Sequence, residues 1–75
     1  MILRYKNNEE EIVIDTDTCM INGQHFTKIR DDLYRNRRDD TQISYTLYGN
    51  KLVREIKRMD NLLIQISVDD FRIIS

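Results

Sequence analysis

The chain has no proline, no tryptophan and no alanine, and only two glycines and one cysteine in 75 residues. The scarcity of glycine and proline excludes collagen and low-complexity linkers. A single thiol, Cys19, excludes a disulfide scaffold and points to a reducing compartment. No apolar run approaches the roughly 18 residues that a membrane-spanning helix needs. Twelve basic residues stand against thirteen acidic ones, net charge −1. That balance is no general footprint for nucleic acid or for an anionic membrane surface. Met1 runs directly into Ile2-Leu3-Arg4-Tyr5 without a long apolar segment, so no secretory signal is visible and a cytoplasmic location is expected.

Small size is itself a constraint. A chain of this length is one domain, residues 1–75, and buries only about 60% of its unfolded surface. It has one thin core and little room for an enclosed substrate cavity. The missing alanine and proline have a further reading. Eleven isoleucines and nine aspartates, with asparagine, lysine and tyrosine, can all be written in AT-rich codons, whereas alanine and proline cannot. Short chains of this composition are typical of AT-rich phages, plasmids and similar elements.

What is present is mostly β-pattern. Residues 41–48 alternate, with Ile43, Tyr45 and Leu47 on one face and Gln42, Ser44, Thr46 and Tyr48 on the other. Gly49-Asn50 then offers a two-residue turn, which sets Leu47 against Leu52, Tyr45 against Arg54 and Ile43 against Ile56. Residues 61–68 alternate again through Leu62, Ile64, Ile66 and Val68. A three- or five-residue loop before them pairs Ile56 with Ile66 and keeps both apolar rows on one face. A tight turn at Asp69-Asp70 sets Val68 beside Phe71. In the N-terminal half, a two-residue turn at Asn7-Asn8 pairs Arg4 with Glu11 and Leu3 with Ile12. Asn22-Gly23 is the strongest hairpin signal in the chain and places Cys19 beside Phe26.

One segment reads as helical, residues 28–37. Thr27 can cap it, Ile29 and Leu33 form its stripe, and acidic residues precede basic ones in the sense of the helix dipole. The expected fold is therefore α+β: a mainly antiparallel sheet of about five to six short strands, with this helix over Ile43, Leu47, Leu52, Ile56, Ile64 and Ile66. A small β-barrel is the competing arrangement.

The chemistry-bearing residues are sparse. His25 stands alone, on the opposite face of its hairpin from Cys19, and reads as a polar surface residue. Asp15-Thr16-Asp17 lacks the spacing and glycine of a calcium loop. The pairs Asp31-Asp32, Asp39-Asp40 and Asp69-Asp70 read as turn and solubility residues. No catalytic set, metal site or cofactor fingerprint is recognisable, and no enzyme is expected. The sharpest local feature is Tyr34-Arg35-Asn36-Arg37-Arg38. With Arg30, Tyr48, Lys57 and Arg58 it forms the candidate partner-binding set. Arginine and tyrosine are enriched at protein interfaces, which favours a host or defence protein as the partner. Tyrosines beside arginines would also suit single-stranded nucleic acid. Small β-rich chains with open edges also pair with themselves, making a homodimer a further expectation. The expected function is thus a small interaction protein of a phage or mobile element that binds and inhibits or modulates another protein. A nucleic-acid-binding regulator and a small RNase-type toxin stand behind it.

Overall fold

Strands alone build the described part of the chain, residues 1–74, in the computed structural model of the protein. They are β1 (Ile2–Lys6), β2 (Glu11–Asp15), β3 (Met20–Ile21), β4 (Gln24–His25), β5 (Thr27–Arg30), β6 (Leu33–Arg38), β7 (Thr41–Tyr48), β8 (Lys51–Asp60) and β9 (Leu63–Ile73). All pair antiparallel in the order β4-β3-β2-β1-β9-β8-β7-β6-β5. The two ends of that order, β4 and β5, are separated in sequence only by Phe26. One nearly continuous segment therefore forms both ends of the sheet, which curls into a nearly closed barrel. Among the described residues no helix is long and apolar enough to cross a membrane.

The helix expected at 28–37 does not form, and the α+β assignment gives way to an all-β fold. Residues 27–30 and 33–38 are β5 and β6, joined through Asp31-Asp32. The reason is burial. A ten-residue helix without alanine is marginal in water unless packing rescues it, and this one had a stripe of only two or three apolar residues. As a strand, the same segment sends Tyr34 into the core opposite Tyr45, at 1% exposure. The acidic-to-basic gradient belongs to a turn and a strand: Arg30 Nε donates to Asp32 Oδ1 at 3.1 Å.

The core comprises Tyr5, Ile12, Ile14, Ile21, Phe26, Tyr34, Tyr45, Leu52 and Phe71, with Leu3, Cys19, Ile43 and Leu47 packed against it. Phe26 meets Tyr45 edge to face, 5.4 Å between centroids at 66°. This is favoured ring geometry, and it explains why Phe26 interrupts the closing segment. Burial pushes the hydroxyl pKa values of Tyr5, Tyr34 and Tyr45 above the ordinary range, with Arg54 partly opposing the effect at Tyr45.

Two hairpins match the sequence reading. Asn22 and Gly23 both adopt positive φ, and Phe26 N–H donates to the Cys19 carbonyl. Leu47 pairs with Leu52, Tyr45 with Arg54 and Ile43 with Ile56. Three other registers differ from expectation. The β1–β2 turn spans four residues, because Asn7 Oδ1 accepts from the N–H groups of both Glu9 and Glu10. Leu3 therefore meets Ile14, and Tyr5 meets Ile12 inside the core. No turn forms at Asp69-Asp70, since β9 runs straight through. Finally, β8 and β9 are joined by two residues, Asn61-Leu62, with Asn61 at φ 53°. This pairs Ile56 with Ser67 and Lys57 with Ile66, and turns Ile64, Ile66 and Val68 away from the interior.

Arg54 explains that register. It lies on the inner face, 14% exposed, and donates to Glu10 at 2.6 and 3.1 Å and to Asp69 at 3.0 Å. Its guanidinium also covers the Phe71 ring at 5.1 Å. The bonds to Glu10 raise the pKa of Arg54 further, against the cost of burial, and secure it as a cation. Its Nε is buried with no hydrogen-bond partner among the described residues. Seating Phe71 against Leu52 and Asp69 against Arg54 determines every other pair along β8 and β9.

Candidate protein-binding surface

Strands β6 to β9 make one wall of the barrel, and their alternation gives that wall an inner and an outer face. On the outer face, one row across the strands reads Arg37, Gln42, Lys57, Ile66. The adjacent row reads Arg35, Ser44, Glu55, Val68. On the other side of the Lys57 row, Met59 pairs with Ile64. The apolar members stand in water: Met59 is 53% exposed, Ile64 55%, Ile66 58% and Val68 57%. At the hairpin tip, Leu62 is fully exposed and Leu63 largely so. An apolar strip along β9 therefore lies beside a cationic strip on β6 and β8. A shallow cleft of about 350 Å³ runs between them, lined by residues including Arg37, Gln42, Lys57 and Met59.

The structure divides the candidate residues read from the sequence. Arg35, Arg37 and Lys57 share the outer face. Arg35 is held by Ser44 (Nε to Oγ, 3.2 Å) and Arg37 by Gln42 (2.8 Å). Arg38 and Arg58 alternate to the inner side of the same wall. Arg38 lines a separate polar cleft with His25, which is exposed, and Asn36. Arg58 sits opposite Gln65. Arg30 is tied to Asp32 at the β5–β6 turn. Tyr48 is 60% exposed on the outer face, opposite Lys51, about 20 Å along the strand from Lys57. Tyr34 is buried, so no aromatic ring sits among the arginines for a base to stack on.

The residues that sequence reading missed as a surface are Met59, Leu62, Ile64, Ile66 and Val68. Their alternation was visible, but the expected register placed it inside. Pairing opposite charges would have found the right one: only the observed register sets Asp69 against Arg54 and brings Asp70 to Lys51, which it meets at 3.2 Å.

Among the described residues no group of three or more His, Cys, Asp or Glu is placed to hold a metal ion. No protein family, curated protein or solved structure matches the chain.

Proposed function

We propose that this chain is a small, non-enzymatic binding module that engages another protein through the outer face of β6 to β9. The observation that supports it is the exposed row of Met59, Ile64, Ile66 and Val68 beside Arg37 and Lys57. A soluble chain gains nothing by holding these apolar groups in water, and contiguous exposed apolar patches mark interaction sites. Such a face fits a partner that presents apolar side chains rimmed by carboxylates. The AT-codable composition agrees with a phage or mobile-element accessory protein acting on a host or defence protein in the cytoplasm. Nucleic acid is the weaker reading, because Arg38 and Arg58 face away from Arg35 and Arg37, and the net charge is −1. The test is affinity purification from host cells with the wild type and with a Lys57→Glu, Met59→Ser double variant. One protein partner, lost with the double variant while the fold persists, supports the reading. Nucleic acid copurifying without protein overturns it, as does a partner retained at full strength by the variant.

A further inference from the structure

Strand β9 is far longer than the strand that covers its outer edge. On that side β1 pairs only with Arg72 and Ile73. Among the described residues, positions 63–71 of β9 pair with β8 alone. Ile73 N–H donates to Asn50 on the β8 side. By antiparallel alternation, the odd-numbered residues of β9 bond toward β8 and the even-numbered ones point their N–H and C=O outward. Ile64, Ile66, Val68 and Asp70 thus present an open row of backbone donors and acceptors. The first three also carry the exposed apolar side chains. Natural edges are blunted by proline, lysine or a bulge. Residues 63–68 contain neither proline nor lysine, and the β8–β9 register runs without a break.

We infer that this edge is a homodimerisation strand: β9 pairs antiparallel with β9 of a second copy about a two-fold axis centred on Ile66. Three features select that occupant and register. First, a two-fold axis normal to the sheet requires residues of like parity to face each other. Centring on Ile66 pairs Ile66 with itself and Ile64 with Val68, so like meets like on the outer face and each pair exchanges two backbone hydrogen bonds. Second, the Asp69-Asp70 charges fall at opposite ends of the joined strands, beside the second copy's Leu63 and Leu62. A parallel arrangement would bring them together. Third, Lys6 already occupies the edge at Arg72. Sliding the register so that Ser67 meets itself would drive the second copy's Leu62 into that place. The end of β1 therefore acts as a stop, and the Ile66-centred register covers the most edge without collision. The two β6–β9 walls then merge into one continuous sheet, with the apolar rows adjoining across the axis. This does not rest on the proposed binding face: Lys57 and Met59 lie on β8, away from the edge, so the two sets of variants report separately.

The test is the association state of the whole chain by sedimentation over roughly a hundredfold concentration range. Wild type is expected to shift from monomer to dimer. Ile66→Pro removes only an outward N–H and spares the bonds to β8, and is expected to raise the dissociation constant at least about tenfold. Ile66→Lys is expected to do the same without touching the backbone. In a Cys19→Ser background, Ile66→Cys is expected to form a disulfide-linked dimer. Ile64→Cys is not, since its counterpart is position 68 and the two thiols lie too far apart. A wild type that stays monomeric throughout overturns the inference. So does a folded Ile66→Pro or Ile66→Lys that dimerises as before, or an Ile64→Cys that cross-links as readily as Ile66→Cys.

Discussion

The two halves of β9 have nearly the same hydrophobic character and opposite fates. Phe71, in the C-terminal half, is 1% exposed against Leu52 and Arg54, whereas Ile66, five residues earlier, is 58% exposed. The strand is continuous and uniformly paired to β8 between them, so neither backbone geometry nor residue type accounts for the difference. Neighbouring strands do. Near Phe71 the barrel is closed by β1, and the inner face meets Tyr5, Ile12 and Ile14 from the opposite wall. Toward the tip, β1 has turned away and only the wall of β6 to β9 continues. A side chain is buried when something stands across from it, and hydrophobicity alone does not provide that.

The largest test of this contrast is truncation on each side of it. Phe71→Ala is expected to cost about 3–5 kcal/mol by emptying the barrel core. Ile66→Ala is expected to stay within about 0.5 kcal/mol in the monomer. Urea denaturation of both variants measures the gap, and similar losses would mean that the hairpin is packed in solution. Next comes Arg54, which joins the two halves. Arg54→Met keeps bulk over Phe71 but strands Glu10 and Asp69. It is expected to destabilise by about 1–3 kcal/mol, since the partners are half exposed. It should also let the β1–β2 turn exchange amide hydrogens faster.

Alkali should separate the regions without mutation. The raised pKa values of Tyr5, Tyr34 and Tyr45 mean that the folded state favours the neutral phenol. That contribution is fully present below the unfolded value of about 10 and is lost as pH rises through the higher folded values. Tyrosinate absorbance is therefore expected to rise together with loss of the barrel's circular dichroism signal above pH 10. Ionisation of these three rings with the fold intact would contradict it. The smallest effect is at the turn that sets the hairpin. Asn61→Ala places a β-carbon where φ is 53° and is expected to cost about 1 kcal/mol, while Asn61→Gly is expected to be near neutral. Thermal melting of the pair gives the comparison.

Most of the sheet was legible from residues alone because its hairpins announce themselves. Asn22-Gly23 and Gly49-Asn50 each supplied a turn with the right φ and a matching apolar register. The helix at 28–37 was misread because a short i,i+4 stripe and a charge gradient fit a turn between strands equally well. What decides the matter is Tyr34 finding Tyr45, which is tertiary information. The β8–β9 register was missed for a related reason. Facing Ile56 with Ile66 satisfies local apolar matching, yet the chain satisfies Arg54 with Asp69 and Glu10 instead. The candidate surface suffered accordingly. Arg35, Arg37 and Lys57 were found as residues, but the apolar strip beside them depends on a register that only charge pairing reveals.

The way the barrel shuts has a consequence for how the chain folds. Every pairing but one joins strands adjacent in sequence, through turns of a few residues. The exception, β1 with β9, spans nearly the whole chain and consists of Tyr5 with Ile73 and Lys6 with Arg72, extended by the Ile74 N–H bond to the Arg4 carbonyl. Short loops close at little entropic cost, whereas the long one must be brought together late and is held by few bonds. The hairpins should therefore zip first in either half, and the seam between β1 and β9 should join last and part first. Below the threshold for global unfolding, the molecule would open there like a clasp, exposing Tyr5 and Phe71 for an instant while the β7–β8 hairpin stays folded.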